Sequence, residues 1–172
     1  RKSEQIRRMI EEYRFPWREG NRFELLIDGA VFFPAMLDSI RRARRRVLLE
    51  SYIVESGTVA ERFIRALEEC ANRNVATYLL ADDFGSFGLS SADRRRLQHA
   101  GVHITWYNPL RYGRFKQNLF RNHRKLLAVD GEVAFVGGMG IADEFDPPSE
   151  ASKLPWHEAM LHPENATRAV RT

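Results

Sequence analysis

The stretch that decides the fold is His123-Arg-Lys-Leu-Leu-Ala-Val-Asp130-Gly-Glu-Val-Ala-Phe-Val-Gly137-Gly138. Two short, mostly apolar runs, residues 125–129 and 133–136, flank the polar pair Asp130-Gly131. An Asp-Gly pair between two such runs is a strong hairpin signal, because both residues tolerate the left-handed backbone of a tight turn. The sequence therefore predicts two antiparallel strands here.

The same stretch carries groups that suit a bound phosphate. His123 and Lys125 are two residues apart, so on an extended strand their side chains leave the same face. An imidazole can act as a nucleophile or a proton carrier near neutral pH, and the lysine supplies a positive charge. Gly137 and Gly138 would let backbone amide donors approach an anion. A surface His and Lys beside an ordinary turn would give the same spacing, so spacing alone leaves both interpretations open.

Composition and charge indicate one folded domain with a preference for anionic partners. Of the 172 residues, 44% are hydrophobic and 29% are charged, which is typical of globular proteins. The net charge is +4, and arginines cluster at residues 41–46. Such a cluster favours phospholipid headgroups or nucleic acid, although it also suits a solvated helix face. The single cysteine, Cys70, excludes an internal disulfide.

Helices and strands are predicted to alternate along the chain. Hydrophobic periodicity predicts strands at 23–27, 47–54, 75–81, 102–107 and 156–161 and helices at 3–13, 32–44, 58–70 and 90–97. Thr58 and Ser90 are predicted helix caps. This alternation predicts an α/β architecture whose first part is largely parallel and which the hairpin makes mixed. We expect a helical segment at 1–16, followed by one domain at 17–172.

The motif resembles a known family. With His123, Lys125 and Asp130 in register and the glycine pair after them, the stretch resembles the HKD motif of the phospholipase D superfamily. The similarity runs from about residue 17 to residue 158 and is closest to the first half of bacterial cardiolipin synthases. The segments that carry it are Leu48–Ile53, Leu80–Ser86, Phe120–Lys125 and Phe135–Phe145. The resemblance implies a phospholipase D-like mixed β-sheet flanked by helices on both faces.

The resemblance also implies roles for the motif residues. His123 would form a phosphohistidine, or act as acid and then base. Lys125 would bind the non-bridging phosphate oxygens in place of a metal, so that neither a metal nor a cofactor is expected. Asp130 would order the motif, and Glu158 would accept a hydrogen bond from the far nitrogen of His123 and fix its tautomer.

Other positions bear on the site less directly. The pair Gly137-Gly138 would bind phosphate through the backbone. The family often has Asn two residues after the second glycine, where this chain has Gly140. Glu50 and Asp82 lie at strand ends, where similar enzymes have acidic residues and where the sites of α/β proteins gather.

Phosphodiester displacement needs groups on both sides of phosphorus, and one imidazole cannot serve both. The family's solution is a pair of HKD motifs, whereas this chain has one. Either a second HKD half follows in the same protein, or a second subunit supplies another His123.

The first arrangement predicts the N-terminal catalytic half of a cardiolipin synthase-type phosphatidyltransferase. Its substrate would be an anionic phospholipid resembling phosphatidylglycerol, and it would work peripherally at the cytoplasmic side of the bacterial cell membrane.

Two other functions remain open at this stage. A homodimeric phospholipase D-like nuclease or phosphodiesterase would use the second arrangement, with nucleic acid as a partner. A degenerate domain that binds anionic lipid or nucleic acid would agree with the single motif and with Gly140. A transfer assay, the oligomeric state and binding after loss of Lys125 distinguish the three.

Overall fold

The computed structural model of the protein describes residues 20–109, 113, 121–146 and 159–164. Within these ranges the strands are β1 (Arg22–Ile27), β2 (Arg46–Ser51), β3 (Ala76–Asp82), β4 (His103–Tyr107), β5 (Leu126–Val129), β6 (Val133–Gly137) and β7 (Ala159–Glu164). The helices are α1 (Gly29–Arg42), α2 (Thr58–Asn72) and α3 (Ser91–His99), and a short 3-10 helix covers Asp143–Phe145. The predicted helix at 3–13, the division of the chain at residue 16, and residues 156–158 of the predicted last strand lie outside the described residues.

The strands form one mixed sheet in the order β1-β7-β6-β5-β2-β3-β4. Strands β2, β3 and β4 are parallel, as the alternation of strands and helices predicts, whereas β1 pairs antiparallel with β7 at the other end of the sheet. The predicted hairpin is confirmed as β5 and β6, which pair antiparallel. Asp130 and Gly131 in its turn have φ values of 57° and 74°, the left-handed conformation that an Asp-Gly turn provides.

The core lies between the sheet and the three helices. Alternate residues of β2 and β3, such as Val47, Leu49 and Leu79, are buried on the face that α1 and α2 cover. On the opposite face, within the described residues, apolar side chains of several strands are exposed, among them Phe23, Leu25, Tyr78, Val136 and Leu161. The family resemblance predicts helices on both faces of the sheet. Among the described residues the helices cover one face, and the helix predicted at 3–13 lies outside these residues.

The two predicted helix caps have different outcomes. Ser90 is confirmed, because its side chain accepts a hydrogen bond from the backbone N–H of Asp93 at 3.1 Å. Thr58 is wrong as a cap, because α2 begins at Thr58 itself. The carboxylate of Asp143 instead accepts bonds from the N–H groups of Thr58, at 3.0 Å, and Val59, at 2.7 Å. This partner is 85 residues away in sequence, beyond the reach of a local capping rule.

Strand directions bring several chain segments to one edge of the sheet, which we call the C-terminal edge. It contains the ends of β2 and β3, the start of β5 and the end of β6, because β5 runs antiparallel to both β2 and β6. Sites of α/β proteins gather at this edge. The opposite edge holds the start of β2 and the end of β5.

Candidate functional site

The ring of Tyr52, directly after β2, lies beside both His123 and Lys125 of the predicted site. The imidazole of His123 stacks on it with ring centroids 3.9 Å apart and planes inclined by 21°. The Nζ atom of Lys125 lies 5.6 Å from the centroid of the same ring, within the range of a cation–π contact. His123 is exposed and Lys125 is partly buried. The structure thus brings an accessible imidazole and an ammonium group to one aromatic ring.

The backbone that carries these side chains is not part of a regular strand. Pairing with β2 begins at Leu126, one residue after Lys125, so residues 121–125 lie just before β5. The side chain of Asn122 holds this segment, since its amide nitrogen donates to Glu50 and its oxygen accepts from the N–H of Arg124 at 3.1 Å. The expectation of a strand already at Lys125 is corrected accordingly.

Two acidic residues singled out at strand ends both contact this segment. Glu50 near the end of β2 binds the Asn122 side chain, and Asp82 at the end of β3 accepts a hydrogen bond from the Asn122 N–H at 3.3 Å. Asp82 also faces the guanidinium of Arg121, with 3.5 Å between Nη1 and Oδ1. The strand-end argument therefore finds residues that support the site, although their hydrogen bonds go to Arg121 and Asn122 rather than to His123 itself.

A pocket opens beside Lys125 between β2, β5 and the segment after β6. It is a small cleft, and its lining includes Glu50, Ser51 and Lys125 together with the apolar residues Met36, Leu49, Leu126, Met139, Ile141 and Met160. Lys125 is the only cationic residue in this lining. A mainly apolar wall with one ammonium group favours an anion at its mouth, because the charge is less screened there than in open water.

The glycines at and after the end of β6 differ in their surroundings. A Cβ at Gly137 would overlap the carbonyl oxygen of Ala159 and stand 3.0 Å from Cα of Met160, so this glycine permits close pairing with β7. Gly138 is exposed at the C-terminal edge. A Cβ at Gly140 would stand 2.8 Å from the ring of Phe145 and 2.9 Å from Cβ of Ile53. An asparagine amide at position 140 would therefore enter apolar packing in this chain.

Asp130 lies at the opposite edge of the sheet from His123. At roughly 3.3 Å per residue along β5, it is on the order of 15 Å from Lys125. Its carboxylate accepts hydrogen bonds from the backbone N–H groups of Arg44, at 2.8 Å, Arg45, at 2.7 Å, and Arg46, at 2.8 Å. The hairpin turn is thus joined to the start of β2, and Asp130 does not contact the candidate phosphate position. The arginine cluster at 41–46 reaches this same far edge.

The hydrogen bonds to Asp130 change its protonation. Burial by itself would raise the pKa of Asp130, but the N–H bonds from Arg46, Arg44 and Arg45 and the charge of Arg45 outweigh it and hold the pKa below its ordinary value. The folded protein therefore favours the charged form. This stabilisation is present above the ordinary pKa of 3.8 and is lost as the pH falls through the lower, folded-state value.

We expect Asp130→Asn to lower the free energy of unfolding at pH 7 by about 2–3 kcal/mol, because the asparagine loses the charge and one acceptor oxygen. The difference from the parent should shrink as the pH falls below 3.8. Urea unfolding at several pH values measures this. Asp38→Asn is the control, because that carboxylate forms an exposed pair with Arg42 and should cost less than about 1 kcal/mol. Equal effects of the two variants at pH 7 would contradict the account.

Two further expectations concern residues and ligands that the structure does not test. Glu158 lies outside the described residues, so its hydrogen bond to His123 remains a prediction. Within the part of the chain that is described, no group of three or more His, Cys, Asp or Glu side chains is arranged to hold a metal ion. The expectation that Lys125 takes the place of a metal charge also remains a prediction.

Similarity to known proteins agrees with this geometry. The family model described as cardiolipin synthase, PLD-like domain, matches residues 36–144, which include His123, Lys125, Asp130 and the Gly137-Gly138 pair. This chain belongs to that phospholipase D-like family. The resemblance inferred from the motif is therefore confirmed.

Curated relatives of this phospholipase D-like chain are longer. Cardiolipin synthase B of Salmonella typhi is 38% identical over 130 residues, which are 74% of this chain and 32% of that protein. Cardiolipin synthase A of Pseudomonas fluorescens is 34% identical over 166 residues, which are 91% of this chain and 33% of that protein. The chain spans about a third of the length of these relatives.

Solved structures share the phospholipase D-like fold. NucT from Helicobacter pylori has a TM-score of 0.63 and 12% identity, with 86% of this chain and 87% of that chain covered. Phosphatidylserine synthase from Haemophilus influenzae has a TM-score of 0.66 and 13% identity, with 98% of this chain and 39% of that chain covered. The α/β fold class predicted from the sequence is confirmed.

Sequence reasoning missed Tyr52. The segment 48–53 contributes to the family resemblance, but nothing in its local pattern points to a ring that meets His123, which is 71 positions further along. A usable signal was available, because Tyr52 follows a buried parallel strand and so lies at the C-terminal edge.

Proposed function

We propose that this chain is the N-terminal catalytic half of a cardiolipin synthase-type phosphatidyltransferase. The observation that carries the proposal is the meeting of the His123 imidazole and the Lys125 ammonium at the Tyr52 ring, at the C-terminal edge of the sheet. The identity of 34–38% to cardiolipin synthases over most of the chain supports the choice of reaction.

In the proposed reaction a nitrogen of His123 attacks the phosphorus of a phosphatidylglycerol-like lipid. The bond from phosphorus to the headgroup glycerol breaks, and the phosphatidyl group remains on the imidazole as a phosphohistidine. A hydroxyl of a second lipid then attacks phosphorus, the bond from phosphorus to nitrogen breaks, and a phospholipid with two phosphatidyl groups is released. Lys125 stabilises the charge on the non-bridging oxygens during both displacements.

A second acid and base completes the reaction. The departing glycerol oxygen needs a proton, and the attacking hydroxyl must lose one, on the side of phosphorus opposite the bond to His123. We propose that a second histidine supplies both transfers, either from a second HKD half of the same protein or from a second subunit. The roles of the two histidines are interchangeable in this scheme, so the partner histidine can equally be the nucleophile.

The direct test is transfer of labelled phosphatidylglycerol by the full protein, with cardiolipin as the product separated by thin-layer chromatography. Formation of labelled cardiolipin without added metal supports the proposal. Hydrolysis to phosphatidic acid alone, or no reaction of a folded protein in its active assembly, would contradict it.

The second candidate is a homodimeric phospholipase D-like phosphodiesterase that acts on nucleic acid. The fold match that covers 87% of the NucT chain favours it, because a chain of this size can adopt the fold without a second half. Light scattering that shows a stable dimer, together with cleavage of DNA in the presence of a chelator, would establish this function. A monomer that leaves DNA intact would exclude it.

Contact with a bilayer is part of the proposal. The turn after β3 holds Phe84 and Phe87 with 54% and 81% of their surface exposed. Gly85 of this turn packs on Tyr52, so the two rings lie near the site. Exposed aromatic rings favour the membrane interface, and we propose that the protein binds there peripherally, on the cytoplasmic side. Among the described residues, no helix has the length and apolar character to cross a bilayer.

Replacing both phenylalanines of this turn with serine, Phe84→Ser with Phe87→Ser, should weaken binding to phosphatidylglycerol vesicles by at least about 10-fold, since burying one such ring contributes about 1.5–3 kcal/mol. Cosedimentation with vesicles measures the change. Phe23→Ser is the matched control, because Phe23 is 59% exposed and lies at the start of β1 on the opposite edge. Equal loss in both variants, or no loss in the double variant, would exclude this contact.

A further inference from the structure

We propose that Asp82 is a positioning residue that fixes the imidazole of His123 by two routes, through the backbone before it and through the aromatic ring beside it. Only the expected effect on kcat depends on the proposed function. The structural claim, that Asp82 fixes the position of the His123 imidazole, does not depend on it.

Asp82 is a buried carboxylate with donors on both of its oxygens. Its side chain is fully shielded from solvent at the end of β3. One oxygen accepts from the N–H groups of Phe84 and Gly85, each at 3.0 Å, and faces Nη1 of Arg121 at 3.5 Å. The other accepts from the N–H of Asn122 at 3.3 Å. Burial of a carboxylate is unfavourable without such partners, so these contacts stabilise one arrangement of all the segments they join.

The first route passes through Asn122, the residue before His123. The nearest sheet-type hydrogen bond is two residues beyond His123, where the Lys125 carbonyl accepts from the N–H of Gly137 at 3.3 Å, so the backbone at His123 itself is positioned by other contacts. Asp82 binds the N–H of Asn122, and Glu50 binds its side-chain amide. The ends of β2 and β3 thereby hold the backbone that enters His123.

The second route passes through the turn at residues 84–86. Besides the carboxylate bonds, the carbonyl of Asp82 accepts from the N–H of Ser86 at 2.9 Å. The Ser86 hydroxyl donates to the carbonyl of Tyr52 at 3.3 Å. A Cβ at Gly85 would overlap this carbonyl and stand 2.9 Å from two ring carbons of Tyr52. The turn that Asp82 organises therefore packs directly on the ring that stacks with His123.

Both routes end at the same imidazole, which is why we assign Asp82 to its position. A nucleophile must approach phosphorus in line, and a displacement of about 1 Å can cost about 10²-fold in rate. Loss of Asp82 should release both the backbone and the ring contact of His123. We therefore expect an effect on kcat rather than on substrate binding.

The structural test uses the NMR resonances of the His123 ring protons in the full chain. A ring stacked on tyrosine has its protons shifted upfield, and Tyr52→Leu gives the reference position without the stack. Asp82→Asn, which removes the charge but preserves the shape, should move the His123 resonances toward that reference. The matched control is Asp143→Asn, since Asp143 also accepts two backbone N–H bonds, those of Thr58 and Val59, at a different place in the fold. It should leave His123 unchanged.

A folded Asp82→Asn protein with the His123 resonances of the parent would overturn the proposal. If this variant does not fold, Gly85→Ala tests the second route, because the added methyl group would overlap the Tyr52 carbonyl and approach its ring without changing the Asp82 carboxylate. Displaced His123 resonances in Gly85→Ala support the second route. Unchanged resonances would overturn the proposal, since the turn would then have no influence on the imidazole.

A kinetic measurement separates positioning from general destabilisation. In the labelled transfer assay Asp82→Asn should lower kcat by about 10²-fold with KM within about 3-fold of the parent. A rise in KM with an unchanged kcat would contradict the assigned role. If the parent protein shows no transfer while the NMR displacement is observed, the proposed function fails and the positioning role stands.

Discussion

Replacement of His123 by alanine should lower transfer of the phosphatidyl group by at least about 10⁴-fold in the full protein. The substitution removes either the nucleophile or the acid and base that serves the leaving oxygen, and loss of such a group alone accounts for an effect of this size. Initial rates with labelled phosphatidylglycerol measure this loss. Circular dichroism verifies that the variant is folded.

The chain offers a closely matched control for this variant. His103 on β4 also stacks on a tyrosine, Tyr78, with ring centroids 5.0 Å apart and planes inclined by 21°. It lies on the exposed face of the sheet, on a different strand from the HKD segment. His103→Ala should keep the transfer rate within about 2-fold of the parent, as is usual for a surface substitution. A His123→Ala protein that transfers at the rate of His103→Ala would remove His123 from the mechanism.

Lys125→Gln should lower the transfer rate by about 10²–10³-fold, because the ammonium group stabilises charge that develops on the phosphoryl oxygens. The expected loss is smaller than for His123, since the attack itself remains possible. Its partly buried position beside the pocket makes the charge effective, because water screens it less than a charge in solution.

Arg124→Gln makes the same change in charge one residue away. Arg124 is exposed, and it is the backbone N–H of this residue that bonds to Asn122, so the substitution leaves that bond in place. We expect less than about a 3-fold change in rate, since exposed charges are screened. If Arg124→Gln and Lys125→Gln reduce the rate equally, the effect is one of total charge and the specific role of Lys125 is wrong.

Much of the fold was accessible from local patterns. In sequence, strands β2, β3 and β4 are short, mostly apolar runs separated by helices, and this alternation predicts their parallel pairing. The turn at Asp130-Gly131 predicts the hairpin. The place of β1 was not accessible, because its partner β7 is more than 130 residues away and strand order at a sheet end depends on tertiary packing. The Asp143 cap on α2 was missed for the same reason.

The site shows the same division between local and distant information. The spacing of His123 and Lys125, with the family resemblance, identifies these two side chains, and the structure brings both to the ring of Tyr52. Their support comes from Tyr52, Asp82 and Glu50, which lie 40 to 75 positions earlier and meet them only after the strands align. Asp130 also illustrates this, since it belongs to the motif in sequence but binds the backbone of Arg44, Arg45 and Arg46, before and at the start of β2, at the other edge of the sheet.

The central claim is that His123 and Lys125 form one site for a phosphoryl group, and titration with inorganic phosphate tests it most directly. NMR of the full chain would follow the ring protons of His123 and the side-chain signals of Lys125, with His103 as the internal reference. We predict that His123 and Lys125 respond along one saturable curve with a Kd on the order of 1 mM, while His103 does not respond. Phosphate-dependent shifts that spare His123 and Lys125, or that appear only at the arginine cluster of residues 41–46, would contradict the account.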